Sequence, residues 1–299
     1  AAITALPATG GEIVILDGTY NITAKIDINK DNVTLRGNGN ATILKRMYNS
    51  SVSEGIVTLT EASGCTVEKL YIDGNKTSYT NNKNSGIYLS ASSDNTVTGN
   101  TCNNHRYSGI DLSDSSNNNT VTSNTCYNNY LGICLSDSSN NTITGNTCTN
   151  NNDGIHLYAS NNNTITGNPC NNNNNGIYLY TSSDNTFAGN TCDNNNNSGI
   201  CLDSSGENTI TGNTCSVNRR GIYLYDSSNN NVTGNTCTNN DNSGVYLSDS
   251  SNNTVTGNTC NSNDNYGVYL YASSDNTVAS NTCNSNNYHG ICLVSSSNS

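Results

Sequence analysis

The sequence predicts an all-β chain wound as a parallel β-helix of roughly 11–12 coils, and three observations carry that prediction. The triplet Asn-Thr-Cys, once Asn-Pro-Cys, ends at Cys102, 126, 148, 170, 192, 215, 237, 260 and 283, a step of 22 to 24 residues. About half a period later comes Gly-(Ile/Val)-x-Leu, led by Gly86, 109, 132, 154, 176, 199, 221, 244, 267 and 290. Both apolar pieces alternate with period two and are too short for helices, and no helical pattern lies between them. A short β unit stacked many times follows, in which each position around the coil becomes a column.

Two regions are expected: irregular N-terminal coils over 1–85 and regular coils of the same solenoid over 86–299. The notable insertion is Asp73–Ser85. A regular coil can be read from Asn141. Ile143, Asn146 and Cys148 point inward on the first piece and Ile155 and Leu157 on the second, with His156 and Tyr158 outward. Asn100, 124, 146, 168, 190, 213, 235, 258 and 281 form an asparagine ladder in which each amide bonds the next coil. The leading glycine suits a positive φ or a close backbone passage.

Only 32% of the 299 residues are hydrophobic, with no Trp and one Phe, so a thin core of stacked aliphatics replaces a round one. Net charge is −11 from few charges, and no basic stripe points to nucleic acid. No apolar run is long enough to span a membrane. The Ala-Ala-Ile-Thr start reads as a mature chain with its signal peptide removed.

The 13 cysteines divide by position. The nine motif cysteines share one inward column and are expected mostly as thiols filling space like small hydrophobes. Cys134, Cys201 and Cys292 replace the x of Gly-Ile-x-Leu and are expected outside, too far apart to bridge one another and placed for interchain disulfides. Cys65 has no place in the repeat. Such cysteine usage suits an extracellular setting, at the cell surface or in the envelope.

No catalytic constellation emerges from the repeat. Asp114, Asp137, Asp226 and Asp249 occur in the turn after the second strand and are candidate Ca²⁺ ligands or plain turn residues. No other cofactor is expected. Asp111, Cys134 and His156 occupy the same outward position in three successive coils, but a flat face offers no oxyanion pocket. The outward tyrosines are more numerous. Tyr88, Tyr178, Tyr223, Tyr246 and Tyr269 occupy x, while Tyr158, Tyr180, Tyr225 and Tyr271 follow the leucine. They are expected to pack against another protomer or to stack on sugar rings, the alternative being plain cross-strand stacking of residues with high β-propensity.

The repeat resembles that of the right-handed parallel β-helix superfamily of pectate lyase-like and NosD-like carbohydrate-binding and sugar hydrolase proteins. The opening Gly10-Gly-Glu-Ile-Val-Ile-Leu-Asp-Gly-Thr-Tyr20, followed by Asn32-Val-Thr-Leu-Arg-Gly-Asn-Gly39, is similar to the first coils of that superfamily. In character the Asn-rich, Cys-bearing coils are similar to archaeal surface-layer and sheath-type β-helix proteins. That likeness implies a structural, non-enzymatic protein that polymerises end to end and laterally with itself into a sheath, layer or fibre. The final coil, without a charged cap, is expected either to mark a cut chain or to be covered by another subunit. The alternative is a carbohydrate-active β-helix enzyme (a polysaccharide lyase, hydrolase or epimerase), or an adhesin for cell-surface glycans.

Overall fold

The computed structural model describes residues 2–81 and 83–299; Ala1, heading the opening segment, and Asn82, inside the 73–85 insertion, lie outside the described residues. The chain is an all-β parallel solenoid of about 12 turns. It divides into two compact units, Ala1–Asn151 and Asn152–Ser299. The helix Ala2–Ala5 is a single turn, and no helix among the described residues is long and apolar enough to cross a membrane.

In the first unit, strands Ile26–Ile28, Glu54–Thr60, Asn84–Ser90, Ser108–Ser113 and Leu131–Ser136 stack in parallel as one sheet. The opposing sheet stacks Thr66–Asp73 on the 14-residue strand Val33–Arg46, then the triplets Thr96–Thr98, Thr120–Thr122 and Thr142–Thr144. In the second unit, seven strands from Asp153–Tyr158 to His289–Val294 form one sheet. Six triplets from Thr164–Thr166 to Thr277–Ala279 form the other.

Equivalent residues lie over one another, as the period requires. Leu89 pairs with Leu112 and Ile87 with Ile110, all fully buried. Cys102, Cys126 and Cys148 pair in register and are also fully buried. All 13 cysteines are thiols in this structure, and Cys126 is held well above the usual thiol range by its bonded thiol neighbours and then by burial. The column is apolar filling made of sulfur.

Four corners shape each regular turn, and together they account for the composition. In the turn around Gly212, Ser204 (φ 52°), Glu207 (59°), Gly212 (62°) and Val217 (58°) are left-handed. Each is followed at once by an inward polar residue: Ser205, Asn208, Asn213 and Asn218. The backbone N–H of each donates to the matching side-chain oxygen of the next turn, at 3.0, 2.9, 2.9 and 2.9 Å. The amide of Asn213 also reaches back to the Phe187 carbonyl of the previous turn at 3.0 Å. Left-handed corners favour Gly, Asn and Asp, and the position after them demands a side chain that satisfies buried backbone. The expected asparagine ladder is thus joined by two more asparagine columns and one of serine. Cys65, unplaced by the repeat, heads one of these columns, its backbone N–H on Asn95 Oδ1 at 2.8 Å and its thiol on the Lys30 carbonyl at 3.2 Å.

The glycines separate into two kinds. Gly145, Gly167, Gly189, Gly212, Gly234 and Gly257 are corner residues with positive φ. The glycine leading Gly-(Ile/Val)-x-Leu serves close passage instead: a Cβ on Gly199 would lie 2.7 Å from both Cys215 Cβ and the Gly221 carbonyl oxygen. Val217 is the anomaly. It is β-branched, left-handed and 51% exposed, where Asn194 and Asn239 occupy the neighbouring turns. Replacing it with asparagine is expected to stabilise the protein by about 1 kcal/mol, read from chemical denaturation, because the β-branched residue carries the larger left-handed penalty.

Candidate functional site

The site is built where the first unit departs from its repeat. After Asp73 the chain makes a turn at Asn75, whose carbonyl accepts from Ser78 N–H at 3.0 Å and Tyr79 N–H at 3.1 Å. Arg46, fully buried, anchors the return: its guanidinium donates to the Ser85 carbonyl at 2.6 Å and Asn84 Oδ1 at 3.3 Å, and lies 4.5 Å from the Tyr48 ring centroid. That staple fixes the start of strand Asn84–Ser90 and leaves Lys83 beside the outer sheet face.

A cleft of about 360 Å³ opens there, lined by Ser53, Lys83, Tyr88, Tyr107, Asp111, Ser113, Asp114 and Ser136. Asp111 is buried, its carboxylate accepting from Ser85 Oγ at 3.2 Å and Ser113 Oγ at 2.9 Å. Asp114 accepts from Tyr88 Oη at 3.2 Å and Ser90 Oγ at 2.7 Å. Burial, then the charges of Asp111 and Asp114, push the Tyr88 phenol up to about 12. The Tyr107 phenol is raised by neighbouring Cys134, then by burial and Asp111. Two carboxylates, two phenols that stay protonated at neutral pH and one ammonium therefore share a cleft. Such a set can accept and deliver protons at a bound molecule. A larger hollow of about 580 Å³ near the N-terminus is mainly aliphatic, with Lys25 and Asp27 paired at 3.5 Å, and has no comparable acid–base set.

The residues singled out in the sequence fare unevenly. Tyr88, Asp111 and Asp114 enter this cleft, whereas Tyr107 and Lys83 were not anticipated. Asp114, Asp137, Asp226 and Asp249 all have left-handed φ, at 56°, 50°, 46° and 53°, which makes them corner residues. Cys134 and Cys201 are not the surface thiols expected, being 2% and 5% exposed. Larger neighbours cover them, Tyr107 at Cys134, while burial pushes the Cys201 thiol up to about 12. Cys292 is partly exposed. In the second unit, His156 Nδ1 lies 3.0 Å from Asp153 Oδ2.

The outward tyrosines stack across neighbouring strands, one of the arrangements the sequence allows. Tyr223, Tyr246 and Tyr269 stack on one another at 5.1 and 4.9 Å, tilted by 24° and 20°, and Arg220 covers Tyr223 at 4.4 Å. Neighbouring rings occupy one another's faces, so the stack presents edges and hydroxyls rather than platforms for sugars. Tyr178 donates to Asp203 at 3.1 Å and lies beside His156. Tyr158 stacks on Tyr180 at 5.8 Å, and these two with Tyr225 and Tyr271 are 39–44% exposed.

Solved structures share this fold. The A-module of a mannuronan C-5 epimerase from Azotobacter vinelandii has a TM-score of 0.78 at 18% identity, over 94% of this chain and 91% of that one. A periplasmic alginate epimerase gives 0.62 at 17%, over 90% and 85%. The Dettilon tailspike protein gives 0.67 at 17%, over 95% of this chain and 61% of that one. At these identities the likeness shows the fold. No curated protein sequence matches. These neighbours overturn the expectation of a non-enzymatic chain, because the fold they share with it is one that epimerases use. Neither the expected sheath assembly nor the archaeal character finds support in them.

A family model described as periplasmic copper-binding protein (NosD) matches residues 19–213 and 172–299. Copper favours thiolate, thioether and imidazole donors brought together. Among the described residues no three His, Cys, Asp or Glu side chains converge as a ligand set. His105 is inside the solenoid on the Ile72 carbonyl, His156 faces Asp153, and His289 packs beside Tyr266. The donor types are present but their arrangement does not fit a copper centre. The two matched stretches nevertheless span most of the sequence, and the chain belongs to the NosD family.

Proposed function

We propose that this protein is carbohydrate-active, acting on a polysaccharide laid across the outer sheet face of the first unit. The observation that carries this reading is the cleft in which Asp111, Asp114, Tyr88, Tyr107 and Lys83 meet. The fold it shares with two kinds of epimerase supports it. Asp111, oriented by two serine hydroxyls, is placed to take a proton, and a phenol that remains protonated is placed to give one. Asp111 would take the proton from a sugar carbon next to a carboxylate while Lys83 counters the charge that builds on that carboxylate. A phenol then returns a proton to the opposite face of the carbon, which inverts it, or protonates the departing glycosidic oxygen, which completes an elimination. A family described as periplasmic also supports a location in the cell envelope or outside the cell.

The test is incubation with polymannuronate, polygalacturonate and a neutral glucan. Proton NMR reads inversion at C5, ultraviolet absorbance reads unsaturated uronate, and a reducing-end assay reads hydrolysis. One activity is expected in the native protein, and Asp111→Asn should lower it by about 100-fold or more. No binding and no turnover with any of the three would overturn the reading.

A further inference from the structure

A second cleft adjoins the first, of about 470 Å³, lined by Lys76, His105, Arg106, Tyr107, Asn129 and Tyr130. Tyr107 is common to both. We propose that this second cleft is a subsite for an anionic sugar unit, with Lys76 and Arg106 holding its carboxylate or sulfate and Tyr130 meeting its ring. The inference rests on the carbohydrate reading above and names the charge class of its ligand.

Three observations carry it. The first is an electrostatic imbalance. The chain has 22 acidic and 11 basic side chains, yet no carboxylate lines this cleft. Three cations of the unit meet acids, Arg36 with Glu12 at 2.8 Å, Lys25 with Asp27 at 3.5 Å and Lys69 with Glu68 at 3.9 Å, whereas here two cations share one cleft with none. Lys76 and Arg106 have no such partner among the described residues; their bonds go to the carbonyls of Asn128 and Thr80. Burial and then the Arg106 charge hold the Lys76 ammonium below its ordinary range, so an anion between them would relieve like-charge repulsion.

The second is an available aromatic face. Tyr130 is 53% exposed and stacks on Tyr107 with centroids 6.4 Å apart and planes 21° apart. Tyr107 therefore backs Tyr130 on one side, and Tyr130 is the more exposed of the two. The third is contiguity. A polymer chain passing Tyr107 would place one unit among the acids and phenols of the first cleft and a neighbouring unit between the cations. His105 adds no charge, since burial holds it neutral. The two clefts divide the labour, one for proton transfer and one for recognition by charge.

The experiment measures binding apart from turnover. Calorimetric titrations of the full chain use a polyuronate, a sulfated glycan and a neutral glucan at two salt concentrations, with Asp111→Asn as a chemically silenced background. Polyanion binding is expected to weaken at least 10-fold in Lys76→Met/Arg106→Gln and to lose most of its salt dependence. Neutral-glucan binding should be unmoved by that change, and Tyr130→Ala should weaken binding of every sugar recognised. A preference for polyuronate over sulfated glycan would assign the anion as carboxylate, and the reverse as sulfate. If the double variant binds polyanions as the native protein does, or the neutral glucan binds best, the subsite assignment fails while the carbohydrate reading stands. If no glycan binds or is turned over, the carbohydrate reading itself fails. Single variants Lys76→Met and Arg106→Gln, with thermal denaturation of each, separate loss of charge from loss of fold.

Discussion

Lowering the pH from 6.5 toward 3 is expected to cost this protein about 1.4 kcal/mol of stability per pH unit through His105 alone. His105 heads a column continued by Asn129 and Asn151. Its backbone N–H donates to Asn129 Oδ1 at 2.9 Å, and its Nε2 reaches the Ile72 carbonyl at 3.1 Å. The next residue in the column, Asn129, makes the corresponding bond to the Cys102 carbonyl at 3.1 Å. The ring is fully buried and its Nδ1 has no hydrogen-bond partner. Burial first, then the positive charge of Arg46, lowers its pKa from 6.5 to about 3.

Between those two values the unfolded chain binds a proton that the folded chain refuses, so stability falls as pH falls. Above 6.5 the residue contributes nothing to the pH dependence, and below about 3 the loss levels off at roughly 4–5 kcal/mol. Denaturant titrations between pH 6.5 and 5, where carboxylates scarcely titrate, should show the slope in the native protein. Asparagine at this position reproduces both bonds, and His105→Asn should flatten the slope. Equal slopes in the two proteins would refute the assignment.

Asn213→Leu is expected to destabilise the second unit by about 2–5 kcal/mol, although the side chain is nearly the same size and becomes apolar in a buried place. Asn213 Oδ1 accepts from the Asn190 backbone N–H at 2.9 Å and its side-chain amide at 3.0 Å. Its own amide donates to the Phe187 carbonyl at 3.0 Å and to Asn235 Oδ1 at 3.0 Å. Leucine offers none of these, and the Asn190 N–H and Phe187 carbonyl are shut away from water, where each lost partner costs about 1–3 kcal/mol. Asn231→Ala, at an exposed position, should stay within about 0.5 kcal/mol. Equal effects from the two changes in chemical denaturation would show that the columns do not hold the turns together.

The inward aliphatics and the Asn-Thr-Cys column were legible because they recur at fixed distances with the alternation of a half-buried strand. The other polar columns were not. Within a run such as Asn171–Asn175 every residue has the same identity, and only the left-handed corner at Asn172 decides that Asn173 turns inward. The same blindness hid His105, which reads as a turn residue until its register with Asn129 is known. The cleft was legible only in parts. Tyr88, Asp111 and Asp114 stand out in the sequence, but a repeat makes the outer face read as flat, and nothing in the composition of the 73–85 insertion shows that it sets Lys83 beside that face. The sequence does carry one signal for it: the position two before the leading glycine is Asn in six of ten coils, yet Tyr107 and Tyr130 occupy it in the two coils that follow the insertion, as Tyr288 does in the last. The thiols of Cys134 and Cys201 were misplaced because outward on a strand is not the same as open to water when a tyrosine or another large side chain lies alongside.

The corner columns also run in one sense. In each link of these inward columns, a backbone N–H finds its acceptor on the turn that comes later in the sequence, 22 to 24 residues on in the regular turns and 30 at Cys65, as from Asn185 to Asn208 and from Asn208 to Asn230. A growing polypeptide leaving the ribosome can therefore never finish its newest turn. Each is completed by its successor, one step behind synthesis, with no distant segment to wait for. The fold is suited to zip up at the pace of translation, and a stalled chain would end in a row of amides still awaiting their oxygens.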